Sequence, residues 1–147
     1  MDPSEIRERV LDDHENLRTR LAMVESLSQR ADDGEVYALD QLRDRGDELC
    51  RKLRRHLDME DLHLVPLIQE TRGREAARQL AAEHREQRLL FDFVLSRLRD
   101  AERPTRLVCR EIQAFIDLLR DDMDMEEEEL LVAAERQRRR PDEGASA

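Results

Sequence analysis

His56 and Glu60 stand one helical turn apart in the stretch Arg55-His56-Leu57-Asp58-Met59-Glu60-Asp61-Leu62-His63. Side chains at i and i+4 share a helix face and can grip one metal ion together. Asp122 and Glu126 repeat the same spacing further along the chain, and His14 and His84 add two more imidazoles. Six groups of this kind, three imidazoles and three carboxylates, exceed the four ligands of a structural zinc site. They suit two metals bridged by carboxylates. Glu60 and Glu126 occupy matching places in their pairs and are assigned as bridges. His14 and His56 then terminate one metal, and His84 and Asp122 the other. Each metal has about five ligands if a solvent bridge is included, which leaves each with an open position. His63, one turn beyond Glu60, is open to three roles: an extra ligand, a partner to a ligating carboxylate, or a rim residue.

The elements that must position these groups are helical. Leu42, Gly46, Leu49, Leu53, His56, Glu60, His63 and Leu67 form a heptad stripe that is apolar until His56 and then turns polar. A second helix face carries Val10, His14, Leu17, Leu21 and Val24. A third carries Ala77, Leu80, His84, Gln87, Phe91, Val94 and Leu98. The fourth carries Val108, Ile112, Phe115, Leu119, Asp122, Glu126, Leu130 and Ala133. Asp2-Pro3-Ser4-Glu5 reads as a capping box with proline in the first turn, opening a helix that runs to about Arg30. Ala31-Asp32-Asp33-Gly34 reads as a turn and a new cap. The second helix then covers roughly 35–70, with Pro66 kinking it or breaking its last turn. Thr71-Arg72-Gly73 ends it, a third helix covers about 74–101, and Pro104 opens a fourth that reaches about Arg138. The predicted fold is all-α, an up-down-up-down antiparallel four-helix bundle over residues 1–140, with a disordered polar tail at 141–147. Counted from the connecting loops of such a bundle, the polar core residues of neighbouring helices agree in height to within about four residues, or ~6 Å.

Composition narrows the partners. Charged residues make up 42% of the 147-residue chain and aromatics 3%, with only four glycines and four prolines, which favours helices over strands and turns. The net charge of −10 argues against nucleic acid, whose phosphates need a basic face. Arg136 to Arg140 is read as a solvated tail. With no long apolar run and no N-terminal signal pattern, a cytoplasmic protein without a membrane partner is expected. Cys50 and Cys109 lie beside core stripes in separate helices and are read as reduced, partly buried thiols. Met59, Met123 and Met125 are read as packing residues. Asp61 and Glu127 follow the bridging glutamates and could orient histidines, with solvent exposure as the default, and of the run Glu126–Glu129 only Glu126 is expected to point inward.

On these residues the chain resembles the hemerythrin-like, or HHE cation-binding, domain family. Asp13-His14-Glu15 resembles the first histidine motif. His56-Leu57-Asp58-Met59-Glu60-Asp61 with Leu64-Val65-Pro66 is similar to the family's His-x-x-x-Glu-Glu, hydrophobic pair and proline. Glu83-His84-Arg85 resembles the third motif, and Asp122-Met123-Asp124-Met125-Glu126-Glu127 with Leu130-Leu131 repeats the second. The resemblance runs from about Ile6 to Ala134. It implies a non-haem centre of two iron ions, with an oxo or hydroxo bridge, that meets O2, H2O2 or NO. Two positions depart from the pattern. The oxygen carriers have a further histidine where this chain has Leu80, and their fourth motif begins with histidine where it has Asp122. A carboxylate in place of neutral nitrogen moves the expectation from reversible oxygen carriage toward peroxide decomposition, in a peroxidase- or catalase-like activity, or toward oxygen or redox sensing. Iron storage or delivery, and a metal-free helical interaction module, are the alternatives. The module accounts for one or two buried polar residues and poorly for six. A monomer or homodimer is expected.

Overall fold

The computed structural model describes residues 1–139, with side-chain surroundings given as far as Leu130. The tail expected at 141–147 lies outside the described residues, as do the surroundings of Ala133 and of the arginine run at 136–140. Five α-helices and one π-helical turn make up the regular structure, with no strand among the described residues: α1 (Pro3–Asp32), α2 (Ala38–Met59), the π turn (Glu60–Leu64), α3 (Val65–Arg72), α4 (Arg74–Arg99) and α5 (Thr105–Arg139).

Helix α1 begins as its sequence dictates. The Glu5 backbone N–H donates to Asp2 Oδ1 and the Asp2 N–H donates to Glu5 Oε2, each at 2.9 Å, so two otherwise unpaired amides are satisfied. The start of α2 differs from expectation. Asp33 closes α1, Gly34 turns the chain with φ of 93°, and α2 begins three residues later than predicted, at Ala38, behind Tyr37, which offers no side-chain cap. Arg30 and Glu35 pair across this loop.

The stretch 38–72 is not one continuous α-helix. The Val65 N–H bonds the Glu60 carbonyl, one residue further back than in an α-helix, and this opens the π turn just ahead of Pro66. Pro66 then falls in the first turn of α3, where its missing N–H costs nothing, so the helical path continues to Arg72 instead of breaking. The inserted residue also rotates the buried face. Leu64 and Ile68 take the inward positions that a strict heptad gives to His63 and Leu67, and those two are only half-buried. Gly73, with φ of 97°, links α3 directly to α4.

Helix α1 packs against α2 and α5, and α4 packs against α2, α3 and α5. The buried residues form two main apolar clusters. Leu17, Leu21, Leu53, Phe91, Ile116, Met123 and their neighbours make the larger one. Ile6, Val10, Leu64, Ile68, Ala77 and Leu130 make the smaller. Along the four long helices the boundary between the two falls at the polar stripe residues: His14 on α1, His56 and Glu60 on α2 and the π turn, His84 on α4, Glu126 on α5. A polar layer therefore divides the core at one level.

Candidate metal centre

Four side chains with ligand atoms within 4.8 Å of one another lie in this layer: His14, His56, Glu60 and Glu126. Glu60 is the centre of the group and is fully buried. Its Oε1 faces His56 Nε2 at 2.5 Å and His14 Nε2 at 4.0 Å. Its Oε2 faces His84 Nε2 at 3.0 Å. Glu126 Oε1 lies 3.0 Å from His14 Nε2 and 4.0 Å from His56 Nε2. One carboxylate thus addresses imidazoles on two sides. His84 stands on the far side of Glu60 from His14 and His56, and Asp122 lines the same cavities as Glu126. The Asp122 carboxylate accepts a hydrogen bond from Gln87 Nε2 at 3.1 Å and is half-buried. His63 is absent from the group.

Each buried histidine is held from behind by a carboxylate on another helix. Nδ1 of His56 meets Asp13 Oδ2 at 3.1 Å, Nδ1 of His84 meets Asp61 Oδ1 at 2.6 Å, and Nδ1 of His14 meets Glu127 Oε1 at 3.3 Å. An ionised carboxylate can only accept, so Nδ1 carries the proton and Nε2 is left as the inward lone pair. Each of these carboxylates is in turn fixed by an arginine. Arg9 Nε donates to Asp13, Arg88 Nη2 donates to Asp61 at 2.6 Å, and Arg18 forms a two-pronged pair with Glu127 at 2.7 and 2.8 Å. Arg18 and the weaker His14 contact together draw the Glu127 pKa down, and His84 and Arg88 draw down that of Asp61 against the opposing effect of burial.

The chain matches the family of the hemerythrin HHE cation-binding domain over residues 5–134. It belongs to that family. No curated protein and no solved structure matches it.

Four buried atoms of this HHE domain, Glu60 Oε1, Glu60 Oε2, Glu126 Oε1 and His84 Nε2, find no hydrogen-bond partner of proper geometry. Unpaired buried carboxylate oxygens cost several kcal/mol each unless a cation joins them. Carboxylate oxygen and neutral imidazole are the donors that first-row transition metals take, so the residues present fit such an ion. The electrostatics carry the same signature. Burial works to raise the Glu60 pKa, but the facing His56 and His84 outweigh it and hold the carboxylate well below its usual range. For Glu126, burial and the Glu60 charge act together and push the pKa well up. Burial and the neighbouring His56 lower the pKa of His14 and keep it neutral. His56 and His84 are raised, since the facing carboxylates outweigh burial. Burial raises the Asp122 pKa.

Several functional contacts of the HHE domain exceed the sequence reading. Asp13 serves the histidine of another helix and not its neighbour His14. Asp61 and Glu127, expected by default on the surface, are half-buried partners of His84 and His14, so Glu126 is not the sole inward group of its run. Their position immediately after Glu60 and Glu126 was the available signal. Arg9, Arg18 and Arg88 carried none that separates them from other surface arginines. Met123 is buried and Met59 packs against the smaller core cluster, but Met125 is largely exposed and packs on neither cluster. No described helix is long and apolar enough to cross a membrane.

Proposed function

We propose that this HHE domain is an up-down-up-down antiparallel bundle, working in the cytoplasm, that holds two iron ions and reacts with hydrogen peroxide or dioxygen. The observation that carries the proposal is the Glu60 carboxylate. Its two oxygens face different imidazoles at 2.5 and 3.0 Å and find no hydrogen-bond partner of proper geometry, an arrangement that suits two cations sharing one carboxylate. His14 and His56 would hold one ion and His84 and Asp122 the other, with Glu60 and Glu126 shared. When bound, such a pair of irons supplies two-electron redox chemistry at adjacent positions.

The chain's own residues set the terms of that chemistry. Asp13, Asp61 and Glu127 fix the tautomer of each histidine, so that Nε2 is ready without reorganisation. Leu53, Leu57, Phe91, Leu119 and Met123 close the side of the centre toward the larger core cluster and keep water out there. On the other side a cleft of 390 Å³ between α4 and α5, lined by His84, Asp122 and Glu126, offers peroxide a route inward. Asp122 adds negative charge where a histidine would be neutral, and this favours the oxidised state of the nearer ion. Turnover of peroxide to water and dioxygen, which needs no outside reductant, is therefore favoured over reversible oxygen carriage.

Metal analysis of protein purified from iron-supplied cells, with a visible spectrum and a peroxide-consumption assay, tests the proposal. About two irons per chain and peroxide loss that disappears on chelation are expected. One zinc per chain, or no metal after iron loading, would overturn it.

A further inference from the structure

The two faces of the centre carry opposite charge. Between α1 and α2 a shallow cleft of 210 Å³ ends at His56 and Asp13 and is edged by Arg9, Arg20, Lys52 and Arg55. Because α1 touches α5 and α2 touches α4, the cleft between α4 and α5 lies on the opposite side of the bundle. That cleft is acidic. Glu83, Glu86 and Glu129 stand at its mouth, Asp122 and Glu126 line it further in, and no lysine or arginine is among the described residues that line it. Arg72, 3.9 Å from the Glu129 carboxylate, offsets part of one of these charges from outside. The cleft leads to His84, a side chain only 1% exposed whose Nε2 has no hydrogen-bond partner. Nδ1 of that ring is committed to Asp61, so a neutral His84 turns its Nε2 lone pair toward Glu60 Oε2 at 3.0 Å, a contact that a proton or a metal cation satisfies.

We propose that the cleft between α4 and α5 is the route by which divalent cations reach the centre, with Glu83, Glu86 and Glu129 steering them to His84, Asp122 and Glu126. The proposal rests on the metal-binding reading above and adds the path and its steering residues. A cleft lined by one sign of charge raises the local concentration of a counter-ion and its rate of entry, and the effect fades with salt. The basic edge of the α1–α2 cleft repels the same ions.

The test measures uptake of Co²⁺ alone by the metal-free full chain, by stopped flow and by equilibrium titration. The triple variant Glu83→Gln, Glu86→Gln, Glu129→Gln should load roughly tenfold more slowly at low salt. Its rate should be nearly independent of salt, with the equilibrium stoichiometry unchanged. A charge-matched control, Glu8→Gln, Asp44→Asn, Glu102→Gln, should load at close to the parent rate. Equal rates for parent and cleft variant, or equal slowing by the control, would overturn the route while leaving the metal centre standing. A parent protein that takes up no Co²⁺ would remove the centre and the route together.

Discussion

Asp61 of the π turn holds His84 of α4, with Nδ1 donating to Oδ1 at 2.6 Å. The contact is one of four that run around the bundle in a single sense. Asp13 of α1 supports His56 of α2, Asp61 of the π turn supports His84 of α4, Gln87 of α4 supports Asp122 of α5, and Glu127 of α5 supports His14 of α1. Each helix orients the inward group of the next, so the site depends on the assembled bundle and not on any one helix. Asp61→Asn should therefore weaken metal at the His84 side about ten- to a hundredfold and leave the His14 and His56 side nearly intact. Glu127→Gln should do the reverse. Chelator competition with stepwise metal counting distinguishes the two, and equal weakening of both metals by Asp61→Asn would show that the support is not local.

Glu60 joins the two sides, so its loss should not be partial. Glu60→Gln is expected to abolish paired binding, whereas His14→Ala should weaken one metal and spare the other. Metal binds only the folded chain, and at a concentration of about 100 Kd it adds about 2.7 kcal/mol of stability. The parent should melt higher with metal than without. Glu60→Gln should melt at one temperature in both conditions. Differential scanning calorimetry with and without a chelator checks this, and a metal-dependent melting shift in Glu60→Gln equal to that of the parent would refute the bridging role.

The inward groups were legible because they interrupt apolar stripes at helical spacing, singly at His14 and His84 and as i, i+4 pairs at His56/Glu60 and Asp122/Glu126, a pattern that periodicity detects. The Asp2 cap and the stripe from Leu42 to Glu60 follow from local rules in the same way. The π turn was not legible. A proline in a helical stretch predicts a kink or a break, and only the i to i−5 bond at Val65 shows that the chain absorbs Pro66 by widening the preceding turn. That one residue moves His63 off the core stripe and puts Leu64 there. Asp13 and Glu127 were hard to assign for a different reason. Each lies at the edge of the buried face, and whether such a residue faces solvent or a neighbouring helix is settled by interhelical distance, which sequence spacing does not encode.

The two thiols should be inert. Burial pushes the Cys50 pKa up to about 12 and raises that of Cys109 as well, and neither forms a disulfide. The thiolate is the reactive species, so the native protein at pH 8 should react with a thiol reagent far more slowly than a free cysteine. Both thiols should titrate at once in denaturant. Rapid labelling of the native chain would show that α2 or α5 opens near these positions.

Gly46 leaves room on α2 for Leu98 of α4. A Cβ built there would overlap Cδ2 of the buried Leu98. Gly46→Val should overpack this contact and cost about 1–3 kcal/mol, even though valine is the better helix former. Leu98→Ala in the same chain should recover part of the loss, because the two changes share one space. Urea denaturation of the single and double variants measures the coupling, and strictly additive losses would mean the helices move apart instead.

Asp122 is the residue on which the preference for turnover depends. It sits half-buried beside Glu126 and is oriented by Gln87, so a carboxylate and not a neutral ring faces the α4–α5 cleft. An added carboxylate stabilises a ferric over a ferrous ion. The reduced protein should then oxidise in air to a stable form and consume peroxide. Asp122→His restores a neutral nitrogen donor at the same position on α5 and should slow oxidation in air, prolong any reversible uptake of dioxygen and lower the rate of peroxide loss. Gln87→Ala, which frees Asp122 without removing its charge, should loosen the metal while keeping the preference for the oxidised state. Stopped-flow spectroscopy of the reduced proteins with dioxygen, alongside redox titration, separates charge from positioning. If the parent takes up dioxygen reversibly under vacuum cycling and leaves peroxide untouched, the carboxylate at this position does not govern the chemistry.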